Sequence, residues 1–230
     1  MKISSKFFNN FKKLFYFFYG ESFFKKINFD WSLHPSRYEI INKIIEKKKF
    51  KTYLEIGCDT DENFNKIKIQ NRIGVDPNSG GTHKMTSDTF FSQNNKKFDL
   101  IFIDGLHVHD QVNRDIENSL KFLNSKGIIL LHDCLPSKIW NQIVPPMYPK
   151  WNGDVWKSIV KFRTRKDINV YTILADQGLG VILNEKNKNT LNLEIENFQS
   201  LTFKDYYYNY KKYMNLVNVD QFFKILDSYN

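Results

Sequence analysis

Apolar residues recur along the chain with two different periods, and the switches between them mark its elements. Phe7, Phe8, Phe11, Leu14, Phe15 and Phe18 repeat at helical spacing, with Asn9, Asn10, Lys12 and Lys13 on the other side, which predicts an amphipathic helix over residues 4–19. A second helix is predicted over 36–49, where Tyr38, Ile40, Ile41, Ile44 and Ile45 are apolar. The rhythm then shortens. "KTYLEIGCD" reads as a strand and turn at 51–59, and "ENFNKI" as the start of a helix. "NRIGVDPN" gives a strand at 71–76, "KKFDLIFIDG" another at 97–104, "RDIENSLKFLN" a helix at 114–124 and "KGIILLHDC" a buried strand at 127–132. "INVYTILADQGLGVILN", 168–184, reads as two strands around Asp176–Gly178, a hairpin signal.

Strands alternating with helices imply βαβ units and a parallel sheet. The expected architecture is therefore an α/β open sheet, mostly parallel, with one antiparallel strand from the late hairpin and helices on both faces. Its boundaries are read as 36–184, with a basic, aromatic helical extension at 1–35 and a helical, Tyr-rich one at 185–230.

Composition changes this picture in three ways. With 230 residues, 41% hydrophobic and 16% aromatic, the chain can bury a substantial core. The net charge of +9 is uneven: residues 1–51 hold 12 Lys/Arg against 4 Asp/Glu, and the remainder 22 against 21. A nearly neutral body argues against a nucleic-acid enzyme with a basic cleft across its face. The two cysteines, Cys58 and Cys134, are far apart and form no C-x-x-C pair, so neither a disulfide framework nor a zinc knuckle is expected, and a cytoplasmic setting is.

No uncharged apolar run is long enough to span a bilayer. Lys12 and Lys13 break the N-terminal aromatic run, so export is not expected either. The N-terminal helix has two candidate counterparts: the body or a partner subunit in a homo-oligomer, or an anionic membrane surface.

Four strands end in polar residues: Glu55-Ile-Gly57-Cys58-Asp59, then Asp76-Pro77, then Asp104-Gly105-Leu106-His107, then His132-Asp133-Cys134. In an open α/β sheet the carboxyl ends of parallel strands share one edge, and ligands bind there. Gly57 permits close approach of a ligand to the backbone. Asp76, 21 residues after Glu55, stands where an acid would accept hydrogen bonds from ribose hydroxyls. The edge thus points to a nucleoside-containing cofactor.

The series "YLEIGCD … GVDPNSGG … MTSD … FDLIFIDGLHVHDQVNRDI … GIILLHDC" resembles the class I S-adenosylmethionine-dependent methyltransferases, and among them the bacterial methyltransferase-24 type, a small-molecule and sugar O-methyltransferase-like group. The resemblance covers about residues 50–184 and implies a Rossmann-like fold. It implies that Glu55, Gly57 and the following turn, Cys58 and Asp59, lie along the methionine part of the cofactor. Asp76, with Pro77 after it, would hold the ribose; Ser87 and Asp88 would sit by the adenine; Asp104 would lie near the reacting centre. In related metal-dependent members, acids at the places of Asp104 and Asp133 bind a divalent ion. One departure is visible: Asp59 and Asp61 stand where the usual E/D-x-G-x-G-x-G motif has its later glycines.

Methyl transfer to a hydroxyl needs alignment and a route for the proton. His107 is the candidate base. Alternatively, an ion on Asp104 and Asp133, Mg²⁺ or Mn²⁺ with His132 adding affinity for the latter, would acidify the acceptor. Each residue also has a plainer reading: His107 as a structural hydrogen bond at a helix start, His109 as a solvated first-turn residue, His132-Asp133 as a cap and buried pair, and Arg114-Asp115 as a helix-face ion pair. Trp151 and Trp156 of "WNGDVWK" would offer aromatic faces to a sugar or ring, or belong to the core. The reading is a methyltransferase acting on a hydroxyl of a sugar, glycan precursor or other small molecule. The alternatives are a nicotinamide-dependent oxidoreductase, disfavoured by the missing G-x-G-x-x-G, a non-catalytic interaction protein on the same fold, and a metal-dependent hydroxylase-like relative.

Overall fold

A computed structural model describes residues 5–22 and 25–229, with side chains from Asn10 onward. The Phe7 and Phe8 side chains of the expected apolar stripe, and Ser4, lie outside the described residues. Seven strands form one sheet: β1 Thr52–Ile56, β2 Asn71–Val75, β3 Phe98–Ile103, β4 Leu123–Leu131, β5 Asn169–Ile173, β6 Leu179–Leu183 and β7 Leu216–Val217. Their order is β2-β1-β3-β4-β6-β5-β7. β6 runs antiparallel to both its neighbours, and every other adjacent pair is parallel. The late hairpin turns at Asp176, Gln177 and Gly178, all with left-handed backbone, and so supplies the one antiparallel strand.

The helices are α1 Ser5–Gly20, α2 Arg37–Lys48, α3 Ser87–Gln93, α4 His109–Lys121, α5 Trp156–Arg163, α6 Phe203–Met214 and α7 Val219–Ser228. Alternation along the strands sorts the core into two layers. Leu54, Ile56, Ile101, Ile103, Ile129 and Leu131 face α3, α4, α5 and α6 through Phe90, Ile116, Ile159 and Tyr206. Tyr53, Leu100, Phe102, Ile128 and Leu130 face α2 and α7 through Ile41, Ile44, Phe222 and Leu226. Residues 203–229 close the sheet's far edge: β7 pairs with β5, and Tyr229 Oη donates to Gly127 O at 2.9 Å.

Three elements differ from the sequence pattern. The helix expected from "ENFNKI" is a single 3₁₀ turn, Phe64–Lys66. Phe64 and Ile67 are buried and Asn63 commits its side chain to Glu55, so one turn satisfies the segment. The helix expected at 114–124 begins at His109, because its cap comes from afar: Asp154 Oδ1 accepts the His109 N–H at 2.6 Å. β4 starts at Leu123 rather than 127, across a register irregularity opposite Phe98 and Leu100. The early start of α4 matters for function, since it brings that helix's first turns over the strand ends.

Candidate active site

A cleft of about 650 Å³ opens at the carboxyl ends of β1 to β4. Its lining takes in Glu55, Gly57, Cys58, Asp59, Asp76, Pro77, Ser87, Asp104, His107, His132 and Asp133. Asp88 is outside it, on the exposed side of α3, with Arg114 Nε at 3.4 Å.

The β1 and β2 ends are stapled together by Asp76. Its Oδ2 accepts the N–H groups of Cys58 (3.1 Å) and Asp59 (3.0 Å), and its Oδ1 those of Asn78 (2.8 Å) and Ser79 (2.9 Å). Burial opposes its charge, but these four amides hold the carboxyl below its ordinary range. A carboxylate has about four lone-pair directions, and here all are taken by backbone. Gly57 shows why the turn needs glycine: φ is 84°, and a Cβ would sit 2.3 Å from Asp104 O. Asp59 (φ 45°) and Asp61 (φ 63°) take the left-handed conformation that the usual motif gives to glycine, which Asp tolerates. Asp61 turns its Oδ1 to the Gly81 N–H at 2.6 Å, so this acid builds the β2 loop. Glu55 reaches the cleft floor, yet its Oε2 accepts from Tyr53 Oη at 2.5 Å and Asn63 Nδ2 at 2.9 Å; burial raises its pKa to about 7.

At the β3 and β4 ends the acids and histidines interlock. His107 lies with Nε2 3.3 Å from Asp104 Oδ1 and Nδ1 3.3 Å from Asp133 Oδ2. Beneath it, His132 Nδ1 is 3.2 Å from Asp104 Oδ1 and 3.3 Å from Asp133 Oδ2, while its Nε2 is 3.2 Å from Asp176 Oδ1. Arg37 closes the cluster, with NH1 3.1 Å from His132 Nε2 and Nε 3.8 Å from Asp104 Oδ2. Burial works against a charge on His132, but Asp104 and Asp133 hold its pKa well above the usual imidazole value; His107 is raised for the same reason. Burial likewise works against Asp104, which the two histidines hold far below the carboxylate range. Asp133 has φ 60° and is braced by Asn152 Nδ2, 2.6 Å from its Oδ1. Among the described residues, Asp104, His107 and Asp133 each offer a ligand atom, all within 4.8 Å of one another. That hard-oxygen pair with one imidazole fits a divalent ion such as Mg²⁺ or Mn²⁺. His132, expected beside the acids, has both nitrogens turned to carboxylates.

The opposite end of the cleft is lined by Thr86, Ser87, Gln111 and Asp115. Gln111 Nε2 donates to Ser87 Oγ (3.1 Å) and Asp115 Oδ1 (3.0 Å), and burial raises Asp115 to about 6. Asp115 does not pair with Arg114. It follows Val112 and precedes Ile116 and Ser119 on the buried stripe of α4, and an acid on an apolar stripe is the signal that could have found it. His109 is buried, not solvated: it is held by Ser158 Oγ at 3.1 Å and Asn113 Nδ2 at 3.0 Å, and burial lowers it to about 4. Trp156 is core, whereas half-buried Trp151 lies 5.4 Å from His107 between ring centres. Arg37, Asn152, Asp176 and Gln177 also reach the site, and no pattern in the sequence marked them.

Residues 46–134 match the family model of a methyltransferase domain. A cofactor-bound protein from MTB superposes with a TM-score of 0.51 at 11% identity, covering 81% of this chain and 94% of its own. A protein from Klebsiella pneumoniae, provisionally assigned as an O-methyltransferase, gives 0.50 at 10% identity, covering 67% and 84%. No curated protein matches the sequence. The expected Rossmann-like sheet and the resemblance to the methyltransferase-24 type over this segment are both borne out.

Proposed function

We propose that this chain, whose residues 46–134 match the family model of a methyltransferase domain, transfers the methyl group of S-adenosylmethionine to a hydroxyl of a sugar, glycan precursor or similar small molecule. The observation that carries the reading is a single cleft joining two chemically different ends. One end offers the Gly57 turn, the stapled Asp76 loop, Ser87, Gln111 and Asp115, suited to a nucleoside and an amino-acid tail. The other offers Asp104, His107 and Asp133, suited to a hydroxyl that must lose a proton. The half-buried indole of Trp151 supports an acceptor with a ring.

In the transfer, an acceptor oxygen attacks the methyl carbon, the carbon–sulfur bond breaks, and the sulfonium leaves as a neutral thioether. The acceptor's proton passes to His107 when its imidazole is neutral, or to solvent. Asp104 and Asp133 orient that imidazole, and Asn152 fixes Asp133. A divalent ion held by Asp104, His107 and Asp133 would instead lower the acceptor's pKa. A reducing, cytoplasmic setting belongs to this reading, because Cys58 and Cys134 are buried free thiols whose pKa values burial raises.

Calorimetry with S-adenosylmethionine and S-adenosylhomocysteine is expected to show binding, followed by labelled-methyl transfer to a panel of hydroxylated sugars. Tight NAD binding with no S-adenosylmethionine binding would refute the reading. Loss of turnover in EDTA, restored by Mg²⁺ or Mn²⁺, assigns activation to the ion; EDTA resistance with loss in H107A assigns it to the base.

A further inference from the structure

We propose that α1 lays the protein on an anionic lipid bilayer, with its aromatic face in the headgroup and upper acyl region. The inference is independent of the methyl-transfer reading. A helix docked on a water-facing body turns its apolar side inward; α1 packs Tyr16 against the core in this way but carries a second, wider apolar face outward. Gly20 meets the body, where Ile139 Cδ1 would lie 2.7 Å from an added Cβ, and Lys13 Nζ lies 4.2 Å from the Tyr148 ring centre. Glu21 continues the attachment by accepting the Ile139 N–H at 2.9 Å. The outward stripe is Phe11 (65% exposed), Leu14 (54%), Phe15 (57%), Phe18 (62%) and Tyr19 (74%). These positions recur at i, i+3, i+4, i+7 and i+8, one continuous face. Five of the nine exposed large hydrophobic residues among the described ones stand on this one helix, and Tyr208 of neighbouring α6 is a sixth.

Length and charge select the occupant. At about 1.5 Å per residue, the 16 residues of α1 reach less than the thickness of a hydrocarbon core, so the helix lies in the interface plane. α1 contains no Asp or Glu, and exposed Lys25 and Lys26 follow it, Lys25 Nζ lying 5.3 Å from the Tyr208 ring centre. Residues 1–26 carry six Lys against one Glu. A second copy seated on the same face would bring like charges together across a two-fold axis, whereas anionic headgroups complement them.

The test is flotation of the full chain with phosphatidylcholine vesicles, with and without phosphatidylglycerol. Binding is expected only with the anionic lipid, and is expected to fall in high salt. The F15Q and F18Q substitutions should each weaken partitioning at least about tenfold, and K25E with K26E by roughly fivefold per site. Circular dichroism and light scattering should leave fold and mass unchanged in all variants. Absence of wild-type binding to anionic vesicles, or wild-type-like binding by the phenylalanine variants, would overturn the proposal. So would a fall in molecular mass in those variants, which would make the face an interface between copies.

Discussion

The D76N substitution separates two roles for an acid that sequence alone places beside a ribose. In the structure both carboxylate oxygens are filled by four backbone N–H groups at 2.8 to 3.1 Å. An asparagine keeps one oxygen, which can serve one pair of donors, and turns an NH₂ group toward the other pair. Keeping the oxygen on the deeper Cys58 and Asp59 amides leaves those of Asn78 and Ser79, which are nearer the surface, facing the NH₂ group. Two charge-assisted bonds are worth roughly 3 kcal/mol or more, and partial hydration of the outer pair reduces the expected loss to about 2–3 kcal/mol. Urea denaturation followed by circular dichroism should show this as a lower midpoint with an unchanged slope. The carboxyl's pKa is depressed in the fold, so its stabilisation is present above the unfolded value and is lost as pH falls through the folded one. The gap between wild type and D76N should therefore close in acid. Unchanged stability with weakened cofactor affinity would refute the staple and make Asp76 a direct ligand contact.

Glu55, raised to about 7 by burial, binds its proton more tightly folded than unfolded, so stability should decline as pH rises from about 4.5 to 7; E55Q should remove that slope and gain up to about 3 kcal/mol above pH 7. The G153A substitution would place a Cβ 1.8 Å from His107 O at a φ of 62°, and should destabilise the fold measurably while abolishing turnover; an active, stable variant would show that the loop can shift without cost. The N152A substitution frees the Asp133 carboxylate, and should lower turnover roughly tenfold to a hundredfold with cofactor affinity by calorimetry unchanged.

What the sequence made legible was whatever is local along a strand. β1, β3 and β4 each carry a buried apolar run that stops at a polar residue, and the edge strand β2 ends in Val75 before Asp76, so their shared edge could be read from order alone. Residues whose role depends on a distant partner stayed hidden. His109 looked like a solvated first-turn residue because its partners, Asp154 and Ser158, lie more than 40 positions away. Asp61 looked like a misplaced acid beside the cofactor; only the folded-back Gly80–Gly81 turn shows that it holds the β2 loop. Asp115 is legible in principle from its place on the buried stripe of α4, although Arg114 beside it in sequence suggests an ion pair that the fold does not form.

The same distinction governs the acids at the reacting end. Asp104 and Asp133, ending adjacent parallel strands, imply from sequence two like charges that call for a cation between them. The fold brings three positive or chargeable groups to that place from separate parts of the chain: Arg37 from α2, His107 from the loop after β3 and His132 from the end of β4. It also adds a third acid, Asp176, from the hairpin. Repulsion between the two strand-end acids is therefore already offset by side chains, so it no longer argues by itself for an ion. What still favours one is geometric: three ligand atoms converging within 4.8 Å, with Asp133 in a left-handed backbone conformation and its carboxylate braced by Asn152. Counter-charge and coordination are alternative uses of one imidazole, since His107 can salt-bridge the acids or ligate beside them, but not both at once. Chelation therefore tests what the cluster is for more directly than the loss of either acid, which would disrupt both arrangements.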